Sequence, residues 1–350
     1  MRINSEKKIS PVKLIIIGVL VSAFLIIPNF LNGYYQQIVI QIVMYAYFAS
    51  SWNIIAGFAG QFSLGHAIYV GIGAYTSTIL YNQLGITPWI GAIIGAVLSA
   101  MIGILIGFPT FKLRSTYYTL TSIAILSVVK LAVQSVQNIG DVVIGGAKGL
   151  FIRPVYENSF WDFQFMNKVY YFYIIVVLLL IVLFVCSTIK KSKMGYQLAA
   201  IANNQEASEA LGVNSRGLKL KAAAISAFFC AIGGTFYTQL ILVCNPATLF
   251  GEPLSNEMAV ISLIGGRGTL YGPAIGAIII RSLSQVTTVL IGSNIPGLHL
   301  AIYGIMLIIC IRFFPDGILP LLRKFIRWIG GITIHKVQSQ KSQAELTKEE

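Results

Sequence analysis

The chain has 350 residues, of which 56% are hydrophobic and 11% are charged, whereas a soluble domain carries about 25% charged residues. Its mean hydropathy is +0.78. From Leu14 to Phe111 no side chain is acidic or basic apart from the imidazole of His66. These values exclude an ordinary soluble enzyme. They predict a multi-pass membrane protein, because each crossing helix needs about 20 apolar residues.

Apolar runs follow one another along the whole chain and predict ten spans. The first is interpreted as an uncleaved span and not as a signal peptide, since the run continues past the weak cleavage site at residues 21–23. The segment at 255–266 is too short to cross a bilayer comfortably by itself. The predicted spans are 14–31, 36–56, 64–84, 88–109, 116–138, 169–189, 220–243, 255–266, 269–291 and 297–314.

The net charge of +13 does not indicate nucleic-acid binding, because Lys and Arg lie at the chain ends and in short loops between apolar runs. Such placement sets membrane orientation, with the basic loops in the cytoplasm. Ten crossings put every basic cluster on the same side, whereas nine do not. The clusters are at 2–13, 112–114, 190–221 and 312–336.

The sequence therefore predicts an all-α, polytopic transmembrane helical bundle of about ten spans, some of them short or broken, with both termini in the cytoplasm. A cytoplasmic N-terminal segment (1–13) precedes the transmembrane domain (14–317). A cytoplasmic amphipathic helix and polar tail (318–350) follow it. Within the transmembrane domain, loop 139–168 is expected outside and loop 190–219 inside. The four cysteines, none of them in a CxxC pair, are expected to be small buried apolar residues.

A first glycine-rich junction lies at residues 57–76. Glycines this dense interrupt a helix, and a broken helix at membrane depth is tolerated only where its backbone faces protein or a polar cavity. Transporters build substrate paths from such helices, although close packing through small residues is the alternative interpretation. We expect the junction's polar side chains to line a substrate pathway; they are Gln61, Ser63, His66, Tyr75 and Thr76.

A second junction follows at residues 263–276, where Gly265 and Gly266 interrupt two apolar runs. Arg267 is expected either at the cytoplasmic face or at the mouth of the pathway. The two junctions hint at related elements in the two halves of the chain, although they do not align as clean repeats.

The loop at 195–213 has the composition of two short helices. Leu198, Ile201 and Ala202 share the spacing of one apolar helix face. Asn203 or Asn204 is placed to cap a second helix, with Gly212 as its stop signal. Such a compact knob suits docking into a cleft of a soluble partner, and an ordinary surface loop is the alternative.

In this loop, Glu206-Ala207-Ser208 followed by Gly212 resembles the EAA loop of bacterial ABC importer permeases, which sits on the ATPase. Ser208 replaces the second alanine of that motif, and its distant I-x-L-P part is absent. We call residues 190–219 the coupling loop. The resemblance implies a coupling role for Gly195, Ala199, Glu206, Ala207, Glu209 and Gly212.

The wider pattern resembles the branched-chain amino acid permease family, in particular its LivM-type subunit. The stretches that carry the resemblance are 57–75, 145–150, 195–213, 263–276 and 314–317. The sequence departs from the family pattern at two positions. Lys148 stands where the family usually has a small polar residue. Lys130 lies near where family members often carry a charged pair, and here no acidic partner is adjacent to it. The resemblance implies a bacterial inner-membrane location. It also implies a LivH-type partner permease, two cytoplasmic ABC ATPases and an extracytoplasmic substrate-binding protein.

The expected function is translocation of branched-chain amino acids, or of a related small polar solute, by alternating access. Because no stretch matches GxxxxGK[ST], the chain is not expected to be an enzyme or to need a cofactor, and ATP is bound by the partners. A permease for urea or short amides is the alternative. An ion-coupled carrier would need an acid among the spans, whereas Glu252 and Glu257 are expected near an outer end. For Lys130 and Arg281, which lie within apolar runs, snorkelling and a functional role are both open. A membrane enzyme is disfavoured, since no paired carboxylates or metal cluster appear.

Overall fold

The computed structural model describes residues 25–113, 115–155 and 157–291, and six isolated positions between 304 and 318. In this part the chain is helical apart from short strands and loops, which confirms the predicted all-α bundle. The predicted span 14–31 and the predicted span 297–314 lie largely outside the described residues. Outside them also lie the N-terminal segment, nearly all of the C-terminal amphipathic helix, the polar tail and Cys310.

Eleven α-helices occur in the described residues, and each predicted span between 36 and 291 coincides with one of the longer ones. The helices are α1 (Gly33–Asn53), α2 (Ala67–Leu84), α3 (Pro88–Thr110), α4 (Ser115–Ser135), α5 (Lys168–Lys191), α6 (Lys193–Asn203), α7 (Gln205–Ala210), α8 (Ser215–Ile241), α9 (Pro246–Leu249), α10 (Glu252–Gly266) and α11 (Gly272–Ile291). A π-helical turn (Ile54–Phe58) extends α1, and 3-10 turns occur at Ile27–Phe30 and Gly146–Lys148.

Five of these helices are long and apolar enough to cross a membrane: α1 with its π-turn, α3, α4, α5 and α8. Helix α10 is not among these five because it is too short. Its 15 residues span only about 22 Å, whereas the hydrocarbon core is about 30 Å thick. The expectation that the segment at 255–266 is too short to cross by itself is therefore confirmed.

The long helices pack in two groups. Helix α1 packs against α5, α10 and α11, whereas α2, α3 and α8 pack against one another. The groups meet where α1 contacts α8, and there the hydroxyl of Tyr47 donates a hydrogen bond of 2.7 Å to the carbonyl of Phe229. Helix α4 stands apart and keeps large apolar side chains such as Leu120, Val128 and Leu131 more than 60% exposed.

The loop between α4 and α5 is held against the ends of α2 and α3. It contains the strands β1 (Asn138–Ile139), β2 (Val142–Val143) and β3 (Leu150–Phe151), and β3 pairs with β4 (Val243–Cys244) after α8. The Trp89 ring at the start of α3 stacks on Phe163 with centroids 4.2 Å apart. The coupling loop lies at the other ends of these helices, so the bundle has two distinct faces.

Glycines set the distance between α2 and α8. A Cβ atom at Gly73 would overlap the carbonyl oxygen of Ala231, and one at Gly234 would overlap the carbonyl oxygen of Val70. Apolar side chains gain little from leaving lipid, so membrane helices associate by such close backbone approach. These two glycines let α2 and α8 interlock along their length.

We expect Gly73→Val to force α2 and α8 apart and to destabilise the protein by about 1–3 kcal/mol or more, as overpacking of a tight interface does. Gly33→Val is the matched control, because a Cβ at Gly33 meets no atom within 4 Å. Thermal unfolding of the two variants in detergent measures the difference. Equal midpoints would contradict the close-packing interpretation.

Candidate functional site

The predicted break in the first glycine-rich junction is present. After the π-turn that ends at Phe58, residues 59–66 form no helix, and α2 begins only at Ala67. We call residues 59–66 the re-entrant segment. Side chains from α1 and α4 bond its backbone: Trp52 Nε1 donates to the Ser63 carbonyl (2.7 Å), Thr119 Oγ1 donates to the Phe62 carbonyl (2.7 Å), and the amide of Leu64 donates to Ser122 Oγ (3.0 Å). Directly after the segment, the first amide of α2, that of Ala67, donates to Ser255 Oγ of α10 (2.8 Å).

His66 is 1% exposed and has both ring nitrogens hydrogen-bonded. Its Nδ1 lies 2.9 Å from Ser63 Oγ, and its Nε2 lies 2.9 Å from Ser226 Oγ on α8. Ser226 gives its single hydroxyl proton to the carbonyl of Ser51, 2.7 Å away, so the Nε2–H group must donate to Ser226. Nδ1 then accepts from Ser63. The neutral imidazole therefore bridges the re-entrant segment to α8 and, through Ser226, to α1.

The other predicted pathway residues of this junction are mostly enclosed. Gln61, Ser63 and Tyr75 are buried, whereas Thr76 is half-buried. The space beside Ser63 and Tyr118 measures only about 10 Å³, which is room for about one water molecule. The amide oxygen of Gln61 is buried and has no hydrogen-bond partner among the described residues. In this conformation the segment is closed, and a pathway-lining role for these side chains stays a prediction.

The second junction meets the start of the first, where the residues in contact are more than 200 positions apart in the sequence. Asn53, at the end of α1, donates from Nδ2 to the carbonyl of Thr269 and accepts at Oδ1 from the amide of Gly268, both at 2.9 Å. A Cβ atom at Gly57 would lie 2.7 Å from the Gly268 nitrogen. Gly265 and Gly266 are buried beneath this turn. The backbone φ angles are +118° at Gly266 and +72° at Gly268, which a residue with a side chain rarely adopts.

A cleft of about 370 Å³ opens where both junctions approach the coupling loop. Gly57, Lys190 and Arg267 line it together with Gly195, Ala199 and Ala202 of α6. Arg267 is exposed at this cleft, which fits its predicted position at one face of the bundle. Sequence reasoning missed the cleft because its walls come from three distant parts of the chain.

The coupling loop has the predicted structure of two short helices, α6 and α7. Leu198 and Ile201 are buried on the apolar face of α6, whereas Ala202 is exposed. Of the two candidate caps, Asn204 caps α7, since its Oδ1 accepts from the amide of Ala207 at 3.1 Å. Gly212 follows the helix with a φ of +83°.

The outward side of this loop carries the residues that resemble the EAA motif. Glu206, Ala207, Glu209 and Gly212 are all exposed. Two large apolar side chains accompany them without cover from the described chain, Tyr196 at 71% and Leu211 at 86% exposure. Exposed apolar groups of this size on a polar loop are typical of an interaction surface.

The coupling loop also touches the re-entrant segment directly. A Cβ atom at Gly60 would lie 3.0 Å from the Cα of Ala202 on α6, and Gly60 has a φ of +70°. Displacement of α6 toward this contact therefore meets backbone at once, with no flexible side chain between the two elements.

Arg281 is paired inside the bundle, so snorkelling, one of the two interpretations left open, does not describe it. Its guanidinium donates to Glu257 Oε1 at 2.6 Å and to Gln41 Oε1 at 3.0 Å, and it stacks 4.0 Å from the centroid of the Tyr45 ring. The ion pair, about 18–19% exposed, joins α10 to α11 and is bonded to α1. The Glu257 carboxylate lies in the second turn of α10 and is enclosed among these three helices. Lys130 is half-buried on α4.

These features define the membrane-spanning subunit of a transporter: a bundle with broken helices and an exposed loop that contacts one of the breaks. The family model described as branched-chain amino acid transport system / permease component matches residues 34–311, and the chain belongs to this family of ABC importer permeases. It is a multi-pass inner-membrane protein.

Individual relatives agree with this family. The chain is 23% identical over 309 residues to the Escherichia coli K12 high-affinity branched-chain amino acid transport system permease protein LivM, covering 80% of this chain and 68% of the relative. It is 30% identical over 132 residues to the fructose import permease protein FruF of Bifidobacterium longum, covering 36% of each chain. The ribose import permease protein RbsC of Haemophilus influenzae is 29% identical over 106 residues, covering 29% and 33%. No solved structure matches the chain.

We expect Arg281→Met to destabilise the bundle by about 3–5 kcal/mol, because it leaves the Glu257 carboxylate enclosed without its cation. The double variant Arg281→Met/Glu257→Met should recover most of that loss, since removing both partners leaves no buried charge. Thermal unfolding of the single and double variants in detergent tests the coupling. A double variant at least as unstable as the single one would show that the pair does not act as a unit.

Proposed function

We propose that this chain, paired with a LivH-type permease, translocates branched-chain amino acids or a related small polar solute across the inner membrane by alternating access. In this proposal two cytoplasmic ABC ATPases drive the movement, and an extracytoplasmic binding protein delivers the solute. The observation that carries the proposal is the contact between the coupling loop and the re-entrant segment, at Ala202 and Gly60.

The mechanism follows from that contact. Closure of the ATPase pair displaces α6 and α7, and α6 presses on the re-entrant segment through the backbone and the rigid methyl group of Ala202. The segment holds its place through hydrogen bonds to side chains of other helices, and these can be exchanged one at a time. Its movement opens the closed space around Ser63 and His66 to one side of the membrane and then to the other.

Charge supports placing this face in the cytoplasm. Lys190, Lys191, Lys193 and Arg216 lie in the coupling loop, and Arg267 lies across the cleft from it. Basic residues in short loops are retained on the cytoplasmic side. Both chain ends are accordingly proposed to be cytoplasmic, and ATP is proposed to bind only the partner subunits.

The substrate class rests on the extent of the similarity and on the chemistry of the segment. The LivM relative aligns with 80% of the chain, whereas the sugar permeases align with 36% or less. The polar groups of the segment are an amide, hydroxyls and a neutral imidazole, which suit a zwitterion or a small neutral solute. Urea and short amides remain the alternative substrates for the same reason.

Replacing Glu206 with Lys and Gly212 with Val should abolish most ATP-driven uptake, because the first reverses a charge on the docking surface and the second cannot keep a φ of +83° without strain. Lys148→Ala, exposed in the loop between α4 and α5, is the control and should leave uptake unchanged. Both rates, uptake and ATP hydrolysis, are measured in proteoliposomes with the assembled complex. Normal ATP-driven uptake in the Glu206 and Gly212 variants would refute the coupling assignment.

Uptake of labelled leucine, isoleucine and valine should exceed that of urea, ribose and fructose in vesicles loaded with ATP. A protonophore should leave this uptake intact, because ATP hydrolysis supplies the free energy. Uptake that needs no ATP and collapses with the proton gradient would instead support the ion-coupled carrier. Preference for urea or a sugar would replace the amino-acid assignment and keep the ABC mechanism.

A further inference from the structure

The ammonium group of Lys219 is an unusual feature of the coupling loop. The residue lies in the second turn of α8 and is 0% exposed. Its Nζ donates a hydrogen bond of 2.6 Å to Gln205 Oε1, at the start of α7. Lysine is almost never fully buried unless it is paired, because its charge loses hydration.

The hydrogen bonds continue from this lysine through α7. Gln205 Nε2 donates to Glu209 Oε1 at 2.8 Å, one helical turn further along. On the same short helix, buried Ser208 donates from Oγ to the carbonyl of Asn204 at 2.8 Å. Helix α7 is thus tied to α8 by one directional bond from a buried cation, in addition to packing.

Helix α8 carries a second such contact on the same face. Ser226 follows Lys219 by seven residues, which is two helical turns or about 10 Å along the axis. Ser226 bonds to His66 of the re-entrant segment and to the Ser51 carbonyl of α1. One face of one continuous helix therefore holds α7 at Lys219 and the re-entrant segment at Ser226.

We propose that Lys219 is a positioning residue that makes α8 move with α7. The displacement of α7 that follows closure of the ATPases is then passed along α8 to the His66–Ser226 contact. The proposal rests on the proposed ATPase coupling and adds a second route to the direct contact between Ala202 and Gly60. In this proposal Lys219 contacts neither solute nor nucleotide and acts through its bond to Gln205, its attraction to the Glu209 carboxylate on the same helix, and α8.

Packing alone does not account for a lysine at this position. A methionine has nearly the same length and would fill the site without the cost of a desolvated ammonium. What the ammonium adds is a short, charge-assisted hydrogen bond with a fixed direction. Such a bond transmits a displacement of α7 to α8, whereas apolar packing allows the two helices to slide.

The test compares Lys219→Met, Lys219→Arg and Gln205→Leu in the full transporter complex in proteoliposomes. Lys221→Met is the matched control, because Lys221 lies two positions further along α8 and is exposed. The measured quantity is the number of solute molecules taken up per ATP hydrolysed. A purely structural role would lower the amount of assembled complex and would leave this ratio unchanged.

We expect the ratio to fall at least about fivefold in Lys219→Met, the lower end of typical coupling between sites. Gln205→Leu should reproduce the fall because it removes the same bond from the other side, and Lys219→Arg should restore part of the ratio. Lys221→Met should match the unaltered chain. If Lys219→Met does not assemble, the ratio in Gln205→Leu decides the question.

An unchanged ratio in Lys219→Met or in Gln205→Leu would overturn the inference and leave the proposed function intact. A fall of the same size in Lys221→Met would also overturn it, since the effect would then follow from the loss of any positive charge. Failure of the unaltered complex to take up solute with ATP would overturn the proposed function and this inference together.

Discussion

The structure depends on one constraint: a backbone that leaves helical geometry inside a bilayer must find its hydrogen bonds within the protein. Residues 59–66 meet this requirement with side chains of Trp52 on α1 and of Thr119 and Ser122 on α4, and Ser255 of α10 bonds the first amide of α2 directly after them. The break therefore does not loosen the bundle. It makes a short stretch of chain the point at which α1 and α4 are connected, with α8 joined to it through His66.

The same constraint explains why the break lies beside the coupling loop. A segment whose backbone is bonded to side chains can exchange partners, whereas the backbone bonds of a continuous helix must be broken together. An element that a soluble partner displaces can therefore move such a segment by breaking one hydrogen bond at a time. In this chain α6 reaches it at Gly60, and α8 reaches it through Ser226 and His66. Asn53 adds the turn between α10 and α11 to the same assembly.

Local pattern was enough to predict the spans between residues 36 and 291, the break after Phe58 and the two helices of the coupling loop. Each depends on the order of neighbouring residues: apolar runs, dense glycines, and the cap and stop at Asn204 and Gly212. The ion pair of Arg281 with Glu257 was missed because it joins residues 24 positions apart on separate helices. The Lys219–Gln205 bond and the cleft were missed for a similar reason, since composition does not show which loops meet in space.

The isolated position of α4 has a consequence for how the re-entrant segment opens. Thr119 and Ser122 on this helix supply two of the segment's hydrogen bonds, yet α4 packs little against the rest of the described chain. Among the long helices of the described residues, α4 is therefore the one that other helices hold least. Both of its bonds to the segment depend on where this one helix lies, so a shift of α4 alone would leave the Phe62 carbonyl and the Leu64 amide to find other partners. Water could satisfy both groups without the unfolding of any helix.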